Sequence, residues 1–446
     1  MIKNKSKIHF IGIGGIGVSA LAYYYLKKGY KVSGSDLVSS EITDELKKRG
    51  AKIFIGKHCQ KNLPNDIQKV IYSPAVSFNN PELKKARKLK IKTKSYPEAL
   101  GELTKKYFTI AVSGTHGKST TCAMISLILT KAGLDPTIII GTKLKEFGNL
   151  NSRVGKSKYL VIEADEYKGS FLNYWPSIIV LTNIEREHLD YYKNLNHILK
   201  IYRKYIDHLP KEGFLVANKD NKNINKLLNL SKNKFNIKKY SLKQQDSKKI
   251  KKILQIPGNH NIYNALAALS VARILGIKDE VSFKALSSYR GAWRRFDIRE
   301  SRIPHTNKKI TIIDDYAHHP TELKATFETA YQKFPKKNIW VVFQPHQYQR
   351  TFLLFDDFVK TLSNAHLDRL ILVDIYDVAG REKKSIKKEV SSKKLVKEVK
   401  KRSRFLVLYS PSIKKTFEYI KKEIKDNSVL MIVGAGDIYK LSKYFT

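Results

Sequence analysis

The chain has 446 residues, with 84 Lys and Arg against 40 Asp and Glu, a net charge of +44, and 42% of it is hydrophobic. That length is more than one core organises, so two to four domains are expected, and the apolar content excludes wholesale disorder. No apolar stretch reaches the ~20 residues of a membrane span, so no membrane insertion is expected. The N-terminus runs straight into a strand and reads as no signal peptide. Two cysteines, Cys59 and Cys122, found neither a disulfide framework nor a zinc site, and a reducing cytoplasm is the expectation.

The charge points first to nucleic acid, but its distribution weakens that idea. It amounts to +13 over residues 1–105, +18 over 106–294 and +13 over 295–446, and it comes from 68 Lys against 16 Arg. Arg, not Lys, suits bidentate phosphate and base contacts, so solvated Lys-rich faces account for the surplus.

Short apolar runs alternate with longer amphipathic segments, the pattern of α/β layers. Strand Ile8–Ile13 leads into Gly12, Gly14, Gly15 and Gly17 and then a helix over Ser19–Leu26. This is G-x-G-x-x-G between a strand and a helix, where glycines and a helix N-terminus let the backbone approach an anion. A second strand, Lys31–Asp36, ends in an acid where a ribose or base contact would sit. Taken alone, this signal also fits a nicotinamide dehydrogenase.

Strand Phe108–Val112 leads into Gly114, Thr115, His116, Gly117, Lys118, Ser119 and Thr120, with a helix over Thr121–Leu129. This is the core of a phosphate-binding loop, its first glycine displaced inward from the usual spacing. Its N–H groups would cradle phosphates, Lys118 would reach the β and γ oxygens, and Ser119 would hold Mg²⁺. Hydride transfer needs no such loop. Strand Tyr159–Ile162 ends in Glu163, Asp165 and Glu166; strand Ile178–Leu181 leads to Glu185, His188 and Asp190. Carboxylates at strand ends beside a phosphate loop offer Mg²⁺ ligands, while His188 reads equally as a ligand or a helix cap. Residues 218–256, dense in Lys and Asn, read as exposed and less regular. Strand Lys309–Ile313 ends in Asp314 and Asp315 and is expected to open the last domain, in which 381–404 reads as one solvated helix.

The glycine cluster, GTHGKST, EADE, TNIEREHLDYY, GNHNIYNALAA, GAWRRFD, DDYAHHPTE and FQPHQYQRT follow in one order from Phe10 to Thr351. Together they resemble the ATP-dependent Mur ligases of peptidoglycan synthesis over nearly the whole chain. The resemblance implies three α/β domains: a Rossmann-like UDP-binding domain (1–105), a P-loop ATPase-like domain (106–294) and a C-terminal Rossmann-like domain (295–446). It implies ATP and Mg²⁺, with UDP-N-acetylmuramate and L-alanine as substrates. Gly12, Gly14, Gly15 and Gly17 would then face the diphosphate and Asp36 the uridine. Lys118 would contact ATP, Ser119, Glu163 and His188 the metal, and Asn261 and Asn264 adenine, their spacing putting both on one helical face. Arg295 would meet ATP phosphates and Asp315 its ribose, with Tyr316, His318, His319, His346 and Arg350 around the two other substrates. His188 or His346 would serve as base for the alanine ammonium.

Gln347 stands where many relatives have Arg, removing one positive contact, and Lys200 does not align to a metal-bridging carbamylated lysine. His318 and His319 also fit a helix cap beside Pro320, Asn261 and Asn264 fit ordinary caps, and Trp293 fits packing or base stacking. Two rival functions remain: the recycling ligase that attaches a whole tripeptide, and a nucleic-acid-binding P-loop ATPase.

Overall fold

Three stretches of the chain each build a mainly parallel sheet. The computed structural model describes residues 6–189, 191–230, 234–377 and 385–445. The first sheet comprises β1 (Lys7–Ile11), β2 (Lys31–Asp36), β3 (Lys52–Ile55), β4 (Lys69–Tyr72) and β5 (Lys92–Ser95). They lie in the order β3-β2-β1-β4-β5 with every pair parallel. Strand order reverses between β1 and β4, and such a switch opens a crevice beyond the strand C-termini.

The second sheet holds β6 (Phe108–Ser113), β7 (Thr137–Leu144), β8 (Leu150–Arg153), β9 (Tyr159–Glu163), β10 (Ile178–Leu181), β11 (Phe214–Asn218) and β12 (Asn236–Tyr240). Its order is β12-β11-β10-β6-β9-β7-β8, antiparallel only between β7 and β8. β6 is therefore flanked by β9 and β10, whose C-terminal ends face the loop that follows it. The helix after that loop, Lys118–Lys131, is apolar on all sides and buried from Ser119 to Leu129, as a helix inside a layered domain must be.

The third sheet joins β13 (Asp297–Arg302), β14 (Lys309–Asp315), β15 (Ile339–Phe343), β16 (Arg369–Val373), β17 (Leu406–Ser410) and β18 (Ser428–Val433) in the order β13-β14-β18-β15-β16-β17. Only β13 is antiparallel to its neighbour. Every residue of β15 and β18 is buried, because helices cover both faces. Successive side chains go to opposite cores: Val341 and Phe343 join one cluster, Trp340 and Val342 the other.

The chain forms two compact units. One contains Met1–Glu185, Leu195–Leu254 and Ile262–Tyr289 with the first two sheets; the other contains Arg186–Asn194, Gln255–Asn261 and Arg290–Thr446 with the third. Among the described residues no helix is long and apolar enough to cross a membrane.

Three sequence expectations need correction. The described residues of 218–256 are regular, with helices Lys222–Asn229 and Asp246–Ile253 around β12. Their described Lys residues are exposed, while Ile224, Leu227, Tyr240 and Ile250 turn inward. The third sheet opens one strand before Lys309, at β13, whose DIRESR sequence is polar because an edge strand is half exposed. Residues 381–404 do not form one helix: Ile386–Glu389 and Ser392–Lys400 are separated by extended Val390 and the Ser391 N-cap, and 381–384 lie outside the described residues.

Candidate active site

The loop between β6 and the helix Lys118–Lys131 is shaped by two left-handed glycines. Gly114 has φ 135° and Gly117 φ 82°. A Cβ on Gly114 would fall 2.1 Å from Thr182 Oγ1, and one on Gly117 2.5 Å from Asn264 Oδ1. The end of β10 braces the loop from below. Asn183 O accepts from the Thr115 N–H (3.1 Å), Asn183 Oδ1 accepts from the His116 N–H (2.9 Å), and Thr182 Oγ1 donates to His116 O (2.6 Å). Thr182 and Asn183 carry no charge and sit almost 70 residues away, so nothing in their spacing ties them to this loop.

Lys118 opens the helix, and its Nζ donates to Gly114 O (2.6 Å) and Glu166 Oε2 (2.9 Å). Burial works against its charge, but Glu166, Asp165 and Glu163 outweigh burial and raise its pKa. Ser119 Oγ donates to Glu163 Oε2 (2.9 Å), which also accepts from the Gly141 N–H (2.9 Å). A hydroxyl and a carboxylate side by side are hard oxygen donors of the kind Mg²⁺ takes, so the residues fit that ion. His188, the third expected ligand, lies in the second unit with φ 54° and its Nδ1 4.0 Å from Glu187 Oε1. Thr120 is buried behind the loop.

Asn261 and Asn264 begin the helix Asn259–Ile274, and both are buried. Asn264 Oδ1 accepts from Thr121 Oγ1 (3.2 Å), and Asn261 Nδ2 donates to Pro257 O (2.6 Å). Asn264 thus backs the phosphate loop, a role its spacing did not suggest. Gly117→Ala is expected to weaken ATP binding at least about tenfold, since the new methyl meets Asn264 in a backbone conformation that costs about 1–3 kcal/mol for non-glycine residues. Calorimetric titration with ATP checks this.

At the β1/β4 switch a cleft of about 740 Å³ is lined by Gly12, Gly14, Gly15, Asp36, His58 and Ser73, among others. Asp36 Oδ2 accepts from the Gly14 N–H (2.8 Å) and so ties the turn to β2. Gly17 does not line the cleft. A Cβ there would lie 2.8 Å from the Tyr96 ring, so this glycine permits close packing between the turn and that ring.

In the second unit, residues meet at the C-terminal ends of β14, β15 and β18. Of the two adjacent arginines, Arg294 turns inward, pairing with Asp314 (3.0 Å) and donating to Gly434 O. Arg295 stays half-buried, 5.1 Å from the centre of the Tyr316 ring and 3.9 Å from Glu322. Asp315, expected at a ribose, accepts from the N–H groups of Phe296 (2.7 Å) and Ala317 (2.8 Å). Burial pushes its carboxyl up to about 6, against the pull of Arg295. His319 caps the helix Pro320–Lys333 through Nδ1 and the Thr321 N–H (3.2 Å), with Glu322 reaching back to the His318 N–H (3.0 Å). The cap alternative therefore holds for His319. His318 is pushed down to about 4 by burial, so its ring is neutral at neutral pH.

His346 stacks on Tyr376 at 5.4 Å and lies 5.8 Å from His318. Arg350 donates to His346 O (3.0 Å) and twice to Glu187 Oε1 (2.7 and 3.0 Å). Glu187 was not anticipated. Burial pushes its carboxyl up, but Arg350, His188, His319 and His318 outweigh that and hold it well below the usual carboxylate range. Gln347 occupies the position before the helix Tyr348–Leu353 with φ 74°, and its side chain does not cap that helix. Trp293 stays partly exposed and meets Tyr439 edge-on at 6.0 Å.

A phosphate loop with carboxylates on the neighbouring strand end, in a chain of three α/β sheets, defines an enzyme class that handles nucleoside triphosphates. Residues 7–108 match the Mur ligase family catalytic domain, 112–272 the Mur ligase middle domain, and 294–436 the Mur ligase glutamate ligase domain. The chain belongs to the Mur ligase family. It is 41% identical to the UDP-N-acetylmuramate–L-alanine ligase of Clostridium kluyveri, covering 100% of this chain and 98% of that protein. It is likewise 41% identical to the enzyme of that name from Acetivibrio thermocellus, covering 99% and 96%. The crystal structure of UDP-N-acetylmuramate–alanine ligase from Thermotoga maritima superposes with a TM-score of 0.80 at 28% identity over 98% of each chain. A murein peptide ligase from Psychrobacter arcticus shares the fold, with a TM-score of 0.72 at 22% identity over 98% of each chain.

Proposed function

We propose that this protein joins L-alanine to the carboxylate of UDP-N-acetylmuramate at the expense of ATP, in the cytoplasm, for peptidoglycan synthesis. The observation that carries this is the full-length 41% identity to alanine-adding ligases, together with a competent phosphate loop whose Lys118 and Ser119 both meet strand-end carboxylates. The domain limits are taken as 1–105, 106–294 and 295–446, in keeping with family matches over 7–108, 112–272 and 294–436.

A carboxylate does not form an amide at neutral pH without a better leaving group than hydroxide. The muramoyl carboxylate oxygen attacks the γ-phosphorus of ATP, the bridging P–O bond breaks, and an acyl phosphate and ADP result. The neutral amine of alanine then adds to the acyl carbon, and the tetrahedral intermediate expels phosphate. The enzyme's part is positioning and neutralisation of charge. Lys118 meets the triphosphate oxygens, Arg295 supplies a second cation, and Arg350 faces the anionic substrates. Ser119 and Glu163 would hold one Mg²⁺ and His188 a second, and each ion would supply charge neutralisation when bound. His318, neutral at pH 7 with a pKa near 4, is too weak a base for an ammonium group, which leaves His188 or His346 for that proton.

Phosphate release with ATP, UDP-N-acetylmuramate and a panel of L-alanine, glycine, L-serine and the tripeptide tests the reading. Release is expected with L-alanine and not with the tripeptide. The reverse result would assign the recycling reaction, and stimulation by DNA or RNA would point to a different class.

A further inference from the structure

Beneath the first-sheet cleft lies a carboxylate that the proposed reaction does not use. Glu82, second residue of the helix Pro81–Lys88, is fully buried. Its Oε2 meets His9 Nε2 (2.8 Å) and Ser35 Oγ (2.8 Å), and its Oε1 meets His58 Nδ1 (2.7 Å) and Asn62 Nδ2 (3.4 Å). His9, also fully buried, has its other ring nitrogen 2.9 Å from Ser33 Oγ. Apolar side chains of the same volume are often no less stabilising than a buried charged set, so packing alone gives no reason for it.

Burial pushes the Glu82 carboxyl up, but hydrogen bonds from His9, His58 and Ser35 outweigh it, and the group lies below its usual range. An ionised carboxylate only accepts, so the hydrogen between Glu82 and His58 sits on Nδ1. When the His58 ring carries a single proton, that proton is the one on Nδ1 and Nε2 carries the lone pair. His58 lines the cleft, and its Nε2 makes no hydrogen bond among the described residues. Its ring is held at one end and open at the other.

We propose that Glu82 is a positioning residue that fixes His58 with Nε2 as an acceptor in the cleft, where it takes a hydrogen-bond donor of the nucleoside, either uracil N3–H or a ribose hydroxyl. The inference rests on the reading of this cleft as the UDP site. It makes His58 a specificity residue: cytosine presents a bare N3 where uracil presents N–H, and deoxyribose lacks the hydroxyl. A site built to accept from such a group discriminates against ligands without it.

Calorimetric titration of the full chain with UDP, CDP, 2′-deoxy-UDP and 3′-deoxy-UDP tests this. The unsubstituted protein is expected to prefer UDP over one analogue by at least about fivefold, the worth of one hydrogen bond. Preference over CDP identifies the base, and preference over a deoxy analogue identifies the ribose. His58→Ala is expected to bind UDP as weakly as that analogue and to lose the preference. Glu82→Gln, which keeps the size and loses the charge, is expected to raise KM for the UDP-sugar while leaving KM for ATP and kcat at saturation near normal. A general loss of packing would not produce that split. If His58→Ala keeps the preference, or weakens all four ligands equally as a phosphate contact would, the inference is overturned. If the unsubstituted protein binds no UDP, the reading of the cleft falls and the inference with it. Should Glu82→Gln fail to fold, His58→Ala decides alone.

Discussion

Lys118→Ala is expected to lower kcat at least about 10²-fold, because one preorganised donor to a developing anion is worth roughly 3–4 kcal/mol. Its ammonium sits at the first position of a buried helix, between loop carbonyls and Glu166. It is a cation facing Glu163, Asp165 and Glu166, so its charge offsets repulsion among them before any nucleotide arrives. Removing it does two things at once. The triphosphate loses its partner, and three carboxylates then oppose the approach of an anion. The expected pattern is therefore a loss in kcat and in ATP affinity, with UDP binding unchanged. Phosphate release and separate titrations with ATP and UDP check this. Should the variant melt far below the parent, Ser119→Ala, which deletes only a hydroxyl next to Glu163, is the second arm and is expected to lose activity in the same assay. Near-normal turnover in both would sink the assignment of this loop.

What could be foreseen from the sequence was local. Gly114 to Ser119 follow a strand at loop spacing, and Glu163 ends the next strand of the same pattern, so loop and carboxylate were legible as neighbours of known elements. The three sheets were legible for the same reason: the apolar runs Ile8–Ile13, Phe108–Val112 and Lys309–Ile313 each lead into a Gly-rich turn or a charged end. Groups whose partners lie far along the chain were not legible. Asn183 braces His116 from 67 residues away, and Glu187 holds Arg350 from 163 residues away. No spacing rule links them: the parallel pairing of β10 with β6 brings Asn183 beside the loop, and Glu187 reaches Arg350 only through the folding of the second unit. Adjacent Arg294 and Arg295 illustrate a second limit. Composition cannot say which turns inward; the positive φ of Arg294 and Phe296 decides it, and Arg294 goes to Asp314. β13 shows a third limit, because an edge strand half in water loses the apolar signature that marks its neighbours.

Glu187→Ala is expected to cost roughly 3–5 kcal/mol of stability in the second unit, because it leaves the buried Arg350 guanidinium without its carboxylate. It is also expected to lower kcat/KM by about 10²-fold, the scale of a misplaced binding group. Both Arg350 donors converge on one oxygen, Oε1, while Oε2 faces His319 at 3.6 Å. A single carboxylate thus fixes a cation from one helix and a histidine that caps another. Glu187→Gln keeps an acceptor for Arg350 and loses the charge, so it should fold better than the alanine variant and recover part of the activity. The pH dependence separates charge from packing. Glu187 is held below its ordinary value of 4.5, so its stabilisation is present above that pH and is lost as pH falls toward the folded-state pKa. His318, depressed from 6.5 to about 4, also destabilises the fold on acidification, but over that higher window. Melting temperatures from pH 7 down to 3 should therefore run parallel for parent and Glu187→Gln above about 4.5 and converge below it. Parallel curves throughout, or normal turnover in Glu187→Ala, would show that Arg350 is held by its helix and His346 alone.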